Sequence, residues 1–266
     1  MFRIAQKTSI KYLECFAEKD LDFVIHAFCT RQGGVSGGSF ASLNVSAREG
    51  DESDRVRLNL ERIAAAFDIA VSQFLLVHQV HGDRIWAVDG GTPFSAYDPP
   101  PECDAIVTDR PGVALCIKTA DCVPIFLADP VRRVIGAVHA GWKGTALQIV
   151  GKTVREMVER FGARTADLSA LIGPAIGPCC YEVDTGVYQA MSGDPEQASL
   201  FHAGRGSGKW MLDLFQANRL QLIRSGVPQQ GIRQTDLCTA CHPELFFSHR
   251  AQGGDAGRQL NFIMMR

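Results

Sequence analysis

"CDAIVTDRPGVALCIKTADCVPIFLADPVRRVIGAVHAGWKG", Cys103–Gly144, decides the fold. It holds four short runs rich in apolar and β-branched residues, at 104–109, 113–118, 123–129 and 133–140. "RPG" at 110–112 and "DPVR" at 129–132 interrupt them. Turn chemistry between short apolar runs predicts strands joined as hairpins. Two more runs, "FLLVHQV" at 74–80 and "LSALIG" at 168–173, extend the set on either side.

Helices frame this β-rich middle. In "ESDRVRLNLERIAAAF" (52–67), Val56, Leu60, Ile63 and Phe67 recur at spacings that fall on one helical face. In "GTALQIVGKTVREMVERFG" (144–162), Leu147, Val150, Val154, Met157 and Phe161 do the same, and Gly162 suits the left-handed residue after a helix. "DLFQANRLQLIRSGVP" (213–228) offers Asp213 as N-cap and Gly226 and Pro228 as stops. Residues 31–39, 89–102 and 202–209 predict loops, none of them long or polar enough to be a clear linker. Helices set before and after hairpins argue for α+β, or a mixed α/β sheet, rather than a regular βαβ repeat.

Composition narrows the function. The chain has 266 residues, 46% hydrophobic and 21% charged, which is ordinary globular usage. A net charge of −2 with no basic excess argues against nucleic acid as a partner. No run of about 18 apolar residues predicts a membrane span. The N-terminal stretch lacks the apolar core of a signal peptide. The nine cysteines are odd in number and, without a secretory signal, are expected as reduced thiols in a cytoplasmic protein.

Two motifs are set aside. Cys238-Thr239-Ala240-Cys241-His242 fits the C-x-x-C-H of covalent haem attachment. That chemistry normally needs an exported chain, so the match is read as coincidence and no haem is expected. "HAGRGSGKW" (202–210) fails as a phosphate loop, having Ala203 and Trp210 where Gly and Ser or Thr are required. It reads as a flexible loop before the helix at 213.

The stronger constellation lies at predicted strand ends. His81 ends "VHQVH", Cys122 sits in the turn "TADCVP", and His139 closes "IGAVH". Strand ends on one sheet edge converge, and two imidazoles with a thiolate suit Zn²⁺ or copper, leaving a fourth position open. Gly82, Gly141 and Gly144 permit close backbone approach. Asp121 is a candidate second acceptor or proton carrier. The glycine-rich "CTRQGGVSGGSFASLN" (29–44), with Arg31, Ser36 and Asn44, is a candidate anion site, and Lys143 adds a cation at a predicted helix start. Arg250 and Arg258, taken alone, read as solvated arginines.

Together these stretches resemble the YfiH-like family, also called laccase-domain or polyphenol-oxidase-like proteins and regarded as purine nucleoside phosphorylases. The matching segments are "TRQGGVSGGSFASLN", "HQVHGD", "CDAIVTDRPGVALCIKTADCVPIFLADP", "IGAVHAGWKG", "IGPAIGPCCYEV", "DLCT" and "FFSHR…GRQ", in family order along nearly the whole chain. The resemblance implies one α+β domain, 1–266, of layered mixed β-sheets flanked by helices. It implies a metal, usually taken as zinc, on His81, Cys122 and His139. It implies phosphorolysis of adenosine, inosine, guanosine and methylthioadenosine, with adenosine deamination. Arg31, Ser36, Asn44, Lys143 and Arg250 are the expected phosphate- and substrate-binding residues, with Asp121 the expected proton carrier. Cys241 and His242 fall in a variable spacer. Lys143 stands where the family often has Arg, and "VSAREGD" with Arg48 where it tends to run "LGLHVGD".

Three other readings remain. A copper polyphenol oxidase is the older family reading, although seven histidines are few for a multicopper centre. Cys122 with His139 as base would suit a hydrolase editing peptidoglycan precursors. A metal-dependent binding module is the non-enzymatic reading.

Overall fold

Odd and even residues of the central strands are both apolar because each strand is covered on both faces. In the computed structural model, which describes residues 1–15, 21–90 and 100–266, the first half runs β1 (Phe2–Lys7), β2 (Ile10–Cys15), β3 (Val24–Cys29), α1 (Ser53–Phe67), β4 (Phe74–Leu75), β5 (Ile85–Val88), β6 (Ala105–Thr108), β7 (Ala114–Thr119), β8 (Val123–Asp129) and β9 (Val134–Ala140). There follow α2 (Trp142–Ala146), α3 (Ile149–Phe161), β10 (Ser169–Ile172), β11 (Glu182–Asp184), α4 (Thr185–Met191), α5 (Pro195–Ala198), β12 (Phe201–Ala203), β13 (Lys209–Leu212), α6 (Leu214–Arg224), β14 (Ile232–Gln234) and β15 (Gln259–Met265).

Two six-stranded mixed sheets form, β1-β2-β3-β15-β7-β4 and β14-β10-β8-β9-β6-β5, with a small sheet β11-β13-β12. The large sheets pack face to face. Leu115, Ile117 and Ile263 of one meet Ile106, Phe126 and Ile135 of the other. The Phe28 and Phe126 rings stack across the interface at 4.5 Å. Residues one position along each strand point outward. Cys116, Phe262 and Leu260 pack beneath α1 through Ile63 and Phe67. Ile125, Leu127 and Val138 pack beneath α3 through Val150, Val154 and Met157. The result is an α+β stack of helix, sheet, sheet and helices, as expected. Each fully buried Leu, Ile or Phe in it contributes about 1.5–3 kcal/mol relative to exposure.

The expected strands at 104–109, 113–118, 123–129, 133–140 and 168–173 are found within a residue or so. Three expectations need correction. The run 74–80 is a strand only at Phe74–Leu75. The helix expected across 144–162 breaks at Gln148, whose φ is +63°. Gln221 and the Gln148 amide take up the Thr145 carbonyl there, and Leu147 leaves the buried face and is exposed. The loop expected at 202–209 is narrower, the turn at 204–208 between the hairpin strands β12 and β13. The expected loop at 89–102 lies mostly outside the described residues. Among the described residues, no helix is long and apolar enough to cross a membrane.

Candidate metal centre and its cavity

The hairpin β8–β9 builds half of the site. Its register pairs Val123 with Ala140 and Pro124 with His139. Cys122, one residue before β8, therefore emerges beside the end of β9 that carries His139. The buried carboxylate of Asp129 closes the far end, accepting the Val131 and Arg132 amides at 2.9 Å each. His81 arrives on the connection between β4 and β5 with φ of +59°. One donor atom from each of His81, Cys122 and His139 lies within 4.8 Å of the others. His139 is buried, Cys122 half-buried and His81 exposed.

Asp104, at the head of β6 and fully buried, organises both histidines. Its Oδ1 lies 2.8 Å from His139 Nδ1 and accepts the His81 amide at 3.0 Å. Its Oδ2 accepts the Gly82 amide at 2.7 Å and the Val80 amide at 3.2 Å. The left-handed turn at His81 is thus held by a carboxylate rather than by a glycine. Because Asp104 accepts at Nδ1, His139 presents Nε2 to Cys122. Burial works against the Asp104 charge, but His139 and these amides hold its pKa below the usual range.

Charge coupling between Cys122 and His139 is strong. Burial raises the thiol, yet His139 and His81 bring Cys122 down to about 6. Burial lowers His139, yet the Cys122 charge and Asp104 bring it up to about 9. A thiolate and two imidazoles in contact are a borderline-soft donor set, and the arrangement fits a metal ion. Glycine makes the fit possible. A Cβ at Gly141 would stand 2.9 Å from Cys122 Sγ, and one at Gly144 would stand 2.9 Å from the Gly82 carbonyl.

A cavity of about 390 Å³ opens over the triad, with Trp142 and Tyr181 among its walls. That volume lies in the range of small-molecule sites. Arg48, Lys118, Arg250 and Arg258 also line it, against the carboxylates of Glu49 and Asp121. Burial and the nearby Arg48 charge lower the Lys118 pKa. Arg258 pairs with Glu49 Oε1 at 3.1 Å, while Glu49 Oε2 is buried without a hydrogen bond. Cations outnumber carboxylates, so the cavity favours an anion.

Asp121 lines this cavity with φ of +90°. Its Oδ1 accepts from Thr239 Oγ1 at 2.6 Å and its Oδ2 from the Arg250 amide at 2.7 Å. The carboxylate thereby braces the loop that carries Thr239 and Arg250. Arg250 lines the cavity. Its Nη1 donates to the Glu182 carbonyl at 2.9 Å, and its guanidinium lies 5.2 Å from the Tyr181 ring centre.

The other expected anion-binding residues are not brought to the cavity. Arg31 donates to the carbonyls of Ala41 at 2.7 Å and Pro243 at 3.0 Å and covers the Phe247 ring. Ser36 donates to Asp51 at 2.6 Å. Asn44 donates to Asp51 and to the Ser46 carbonyl, both at 2.8 Å. Lys143 is exposed beside Trp142. Sequence reasoning missed Asp104, Lys118 and Glu49, and it read Arg258 as solvated. Asp104 was signalled by a charge opening an apolar strand, since a carboxylate there must find partners. Lys118 sits at a strand end, the same position that pointed to His81 and His139.

Comparison with known proteins identifies the family. A family model described as "Multi-copper polyphenol oxidoreductase laccase" matches residues 25–266. "Purine nucleoside phosphorylase YlmD" of Bacillus subtilis is 38% identical over 247 residues, covering 91% of this chain and 89% of that protein. A "Purine nucleoside phosphorylase" of Deinococcus radiodurans is 41% identical over 244 residues, covering 88% and 87%. The crystal structure of YlmD from Geobacillus stearothermophilus superposes with a TM-score of 0.90 at 35% identity, over 100% of this chain and 98% of that one. Family match, relatives and fold agree: the chain belongs to the laccase-domain, YfiH-like family of polyphenol oxidoreductase-type proteins.

Proposed function

We propose that the chain is a purine nucleoside phosphorylase that holds one zinc ion on His81, Cys122 and His139, with adenosine deamination as a second activity. One observation carries the reading: a metal-competent triad and an excess of cations share one cavity. The names of the relatives supply the substrate class. A zinc ion held there would supply Lewis acidity, which polarises a substrate oxygen or nitrogen and activates water for deamination.

The chain's own residues do the rest. Phosphorolysis breaks the C1′–N9 bond and forms a C1′–O bond to phosphate, with positive charge developing at C1′. Arg48, Lys118 and Arg258 hold the phosphate, so that its charge faces that carbon. Arg250 shares the cavity but is anchored through Glu182, and Asp121 keeps it in place. Trp142 and Tyr181 offer aromatic faces to the purine. Asp104 fixes the orientation of His139 and the turn at His81. Arg31, Ser36 and Asn44, expected as anion ligands, act instead as scaffolding, and Lys143 has no part in holding phosphate.

Purified protein of known metal content tests this with adenosine, with and without phosphate. Adenine and ribose-1-phosphate are expected only with phosphate. Inosine alone would reduce the reading to a deaminase.

A second reading rests on Asp104. Cys122, His139 and Asp104 form a nucleophile, base and orienting acid in sequence, as a cysteine hydrolase requires. His81 tips the balance toward the metal, since a hydrolase triad has no use for a second imidazole at the thiolate. Chelation separates the two. A zinc enzyme loses activity and regains it with zinc, whereas a cysteine nucleophile survives metal removal. A multicopper centre is disfavoured by ligand count, as His81, His139 and His249 are the histidines at the cavity.

A further inference from the structure

The C-x-x-C set aside in the sequence has a partner. The sulfurs of Cys179, Cys180, Cys238 and Cys241 all lie within 4.8 Å of one another. Cys241 Sγ is 3.6 Å from Cys179 Sγ and 3.4 Å from Cys180 Sγ. Disulfide-bonded sulfurs stand about 2.05 Å apart, so these are separate thiols. Four thiolates on one tetrahedral Zn²⁺ at about 2.3 Å stand about 3.8 Å from each other, the edge of that tetrahedron. The observed spacing fits one ion and is too tight for thiolates spread over the irons of a cluster.

The backbone is already arranged around the group. Ala175 bridges to Cys238, and the Thr239 amide donates to the Ala175 carbonyl at 2.9 Å, which locks the two segments in register. The Cys241 amide closes a turn on the Cys238 carbonyl at 3.2 Å, and the Cys180 amide closes one on Gly177 at 3.0 Å. The Gly177 amide points at Cys238 Sγ from 3.2 Å, the donor that a ligating thiolate calls for. His242 turns away to Glu244 at 3.3 Å. Cys238 is buried, while Cys179 and Cys241 are exposed, which leaves an ion a way in.

We propose that Cys179, Cys180, Cys238 and Cys241 form a closed tetrathiolate site for a single structural Zn²⁺, distinct from the triad in the cavity. The ion fastens the segment leading into Tyr181 to the segment carrying Thr239 and Arg250. Both segments reach the cavity wall, the first through Tyr181 and the second through Arg250. C-x-x-C is therefore half of a metal site, and its histidine is incidental.

Elemental analysis of protein purified under reducing conditions tests the site. Two zinc ions per chain are expected in the wild type, one in Cys122→Ala and one in Cys241→Ser. If the cavity triad holds no metal, the wild type carries one zinc, retained in Cys122→Ala and lost in Cys241→Ser, so the two sites fail separately. Loading Cys122→Ala with Co²⁺ is expected to give the intense sulfur-to-metal absorption of four thiolates. The untouched wild type gives a check that no misfolding confuses: exposed Cys179 and Cys241 react slowly with a thiol reagent until a strong chelator is added. Immediate reaction without chelator, unchanged zinc in Cys241→Ser, or a disulfide from Cys241 to Cys179 or Cys180 in the reduced preparation would overturn the proposal.

Discussion

The glycine-rich loop at 29–44 and the cavity over Cys122 each set arginine beside carboxylate and small polar residues. They differ in how completely their polar groups are paired. In the loop, Asn59 of α1 donates to Ser36 Oγ at 2.9 Å and to the Asn44 carbonyl at 2.8 Å, and accepts the Val35 amide at 2.9 Å. Asp51 accepts from Ser36 and Asn44, and Arg31 has its carbonyls. In the cavity, Glu49 keeps a buried oxygen without a partner, and burial with the Arg48 charge lowers the Lys118 pKa. A polar network that satisfies itself is structural, whereas one with open positions is built for a ligand. Substitutions in the loop should therefore move stability, and substitutions in the cavity should move activity.

The largest expected effect breaks the metal triad. Cys122→Ala should lower phosphorolysis by at least about a thousandfold, the scale of losing a principal catalytic group, with the melting temperature little changed. Activity close to wild type would end both the zinc and the cysteine-nucleophile readings. In the loop, Asn59→Ala should cost about 3 kcal/mol of unfolding free energy, because it orphans several buried groups at once. Urea titration reads this, and a cost below that of an ordinary surface change would mean the network is slack.

Asp104→Asn sharpens the contrast from the other side. An amide keeps the shape but loses the charge that orients His139, and zinc affinity or activity should fall about 10- to 100-fold. Competition with a chelating dye measures the affinity directly. Arg258→Met should raise the phosphate KM about tenfold, as one charge contact is lost, and leave the nucleoside KM near its starting value. Equal changes in both would remove Arg258 from the phosphate wall. Ser36→Ala closes the series at about 1–2 kcal/mol of stability, for the two hydrogen bonds its hydroxyl makes with Asp51 and Asn59, with kcat/KM unaltered.

The same contrast explains what the sequence disclosed. The middle strands were legible because both faces are buried, which writes continuous apolar runs between turns. β15 is equally buried but was missed, because Gln259 and Asn261 interrupt its run. Both make interior hydrogen bonds, Asn261 to the Ile117 carbonyl and Thr119 and Gln259 to the Phe247 amide. β1 was missed for the opposite reason, since it is mostly exposed. Cys122 and His139 could be found because strand ends converge in any sheet, whereas His81 comes from the β4–β5 connection rather than from the strand end expected for it. Asp104 left only the weaker signal of a charge opening an apolar strand, since its importance lies in four contacts that only the folded chain creates. The sequence offered Arg31 as an anion ligand and left Arg258 as a solvated arginine. Both meet carbonyls, and which of them also borders the cavity is decided by tertiary structure.

β15 also has a consequence in time. It lies between β3 and β7, so its two neighbours cannot pair with each other and must wait for it. A chain emerging from the ribosome makes β7 and the Cys122 turn long before Gln259–Met265 appear. Until then the first large sheet stands in two pieces, with unpaired apolar edges along Val24–Cys29 and Ala114–Thr119. Such edges invite association with other chains. The last strand acts as a keystone during synthesis, and a ribosome stalled before Gln259 would hold a half-built sheet prone to aggregation.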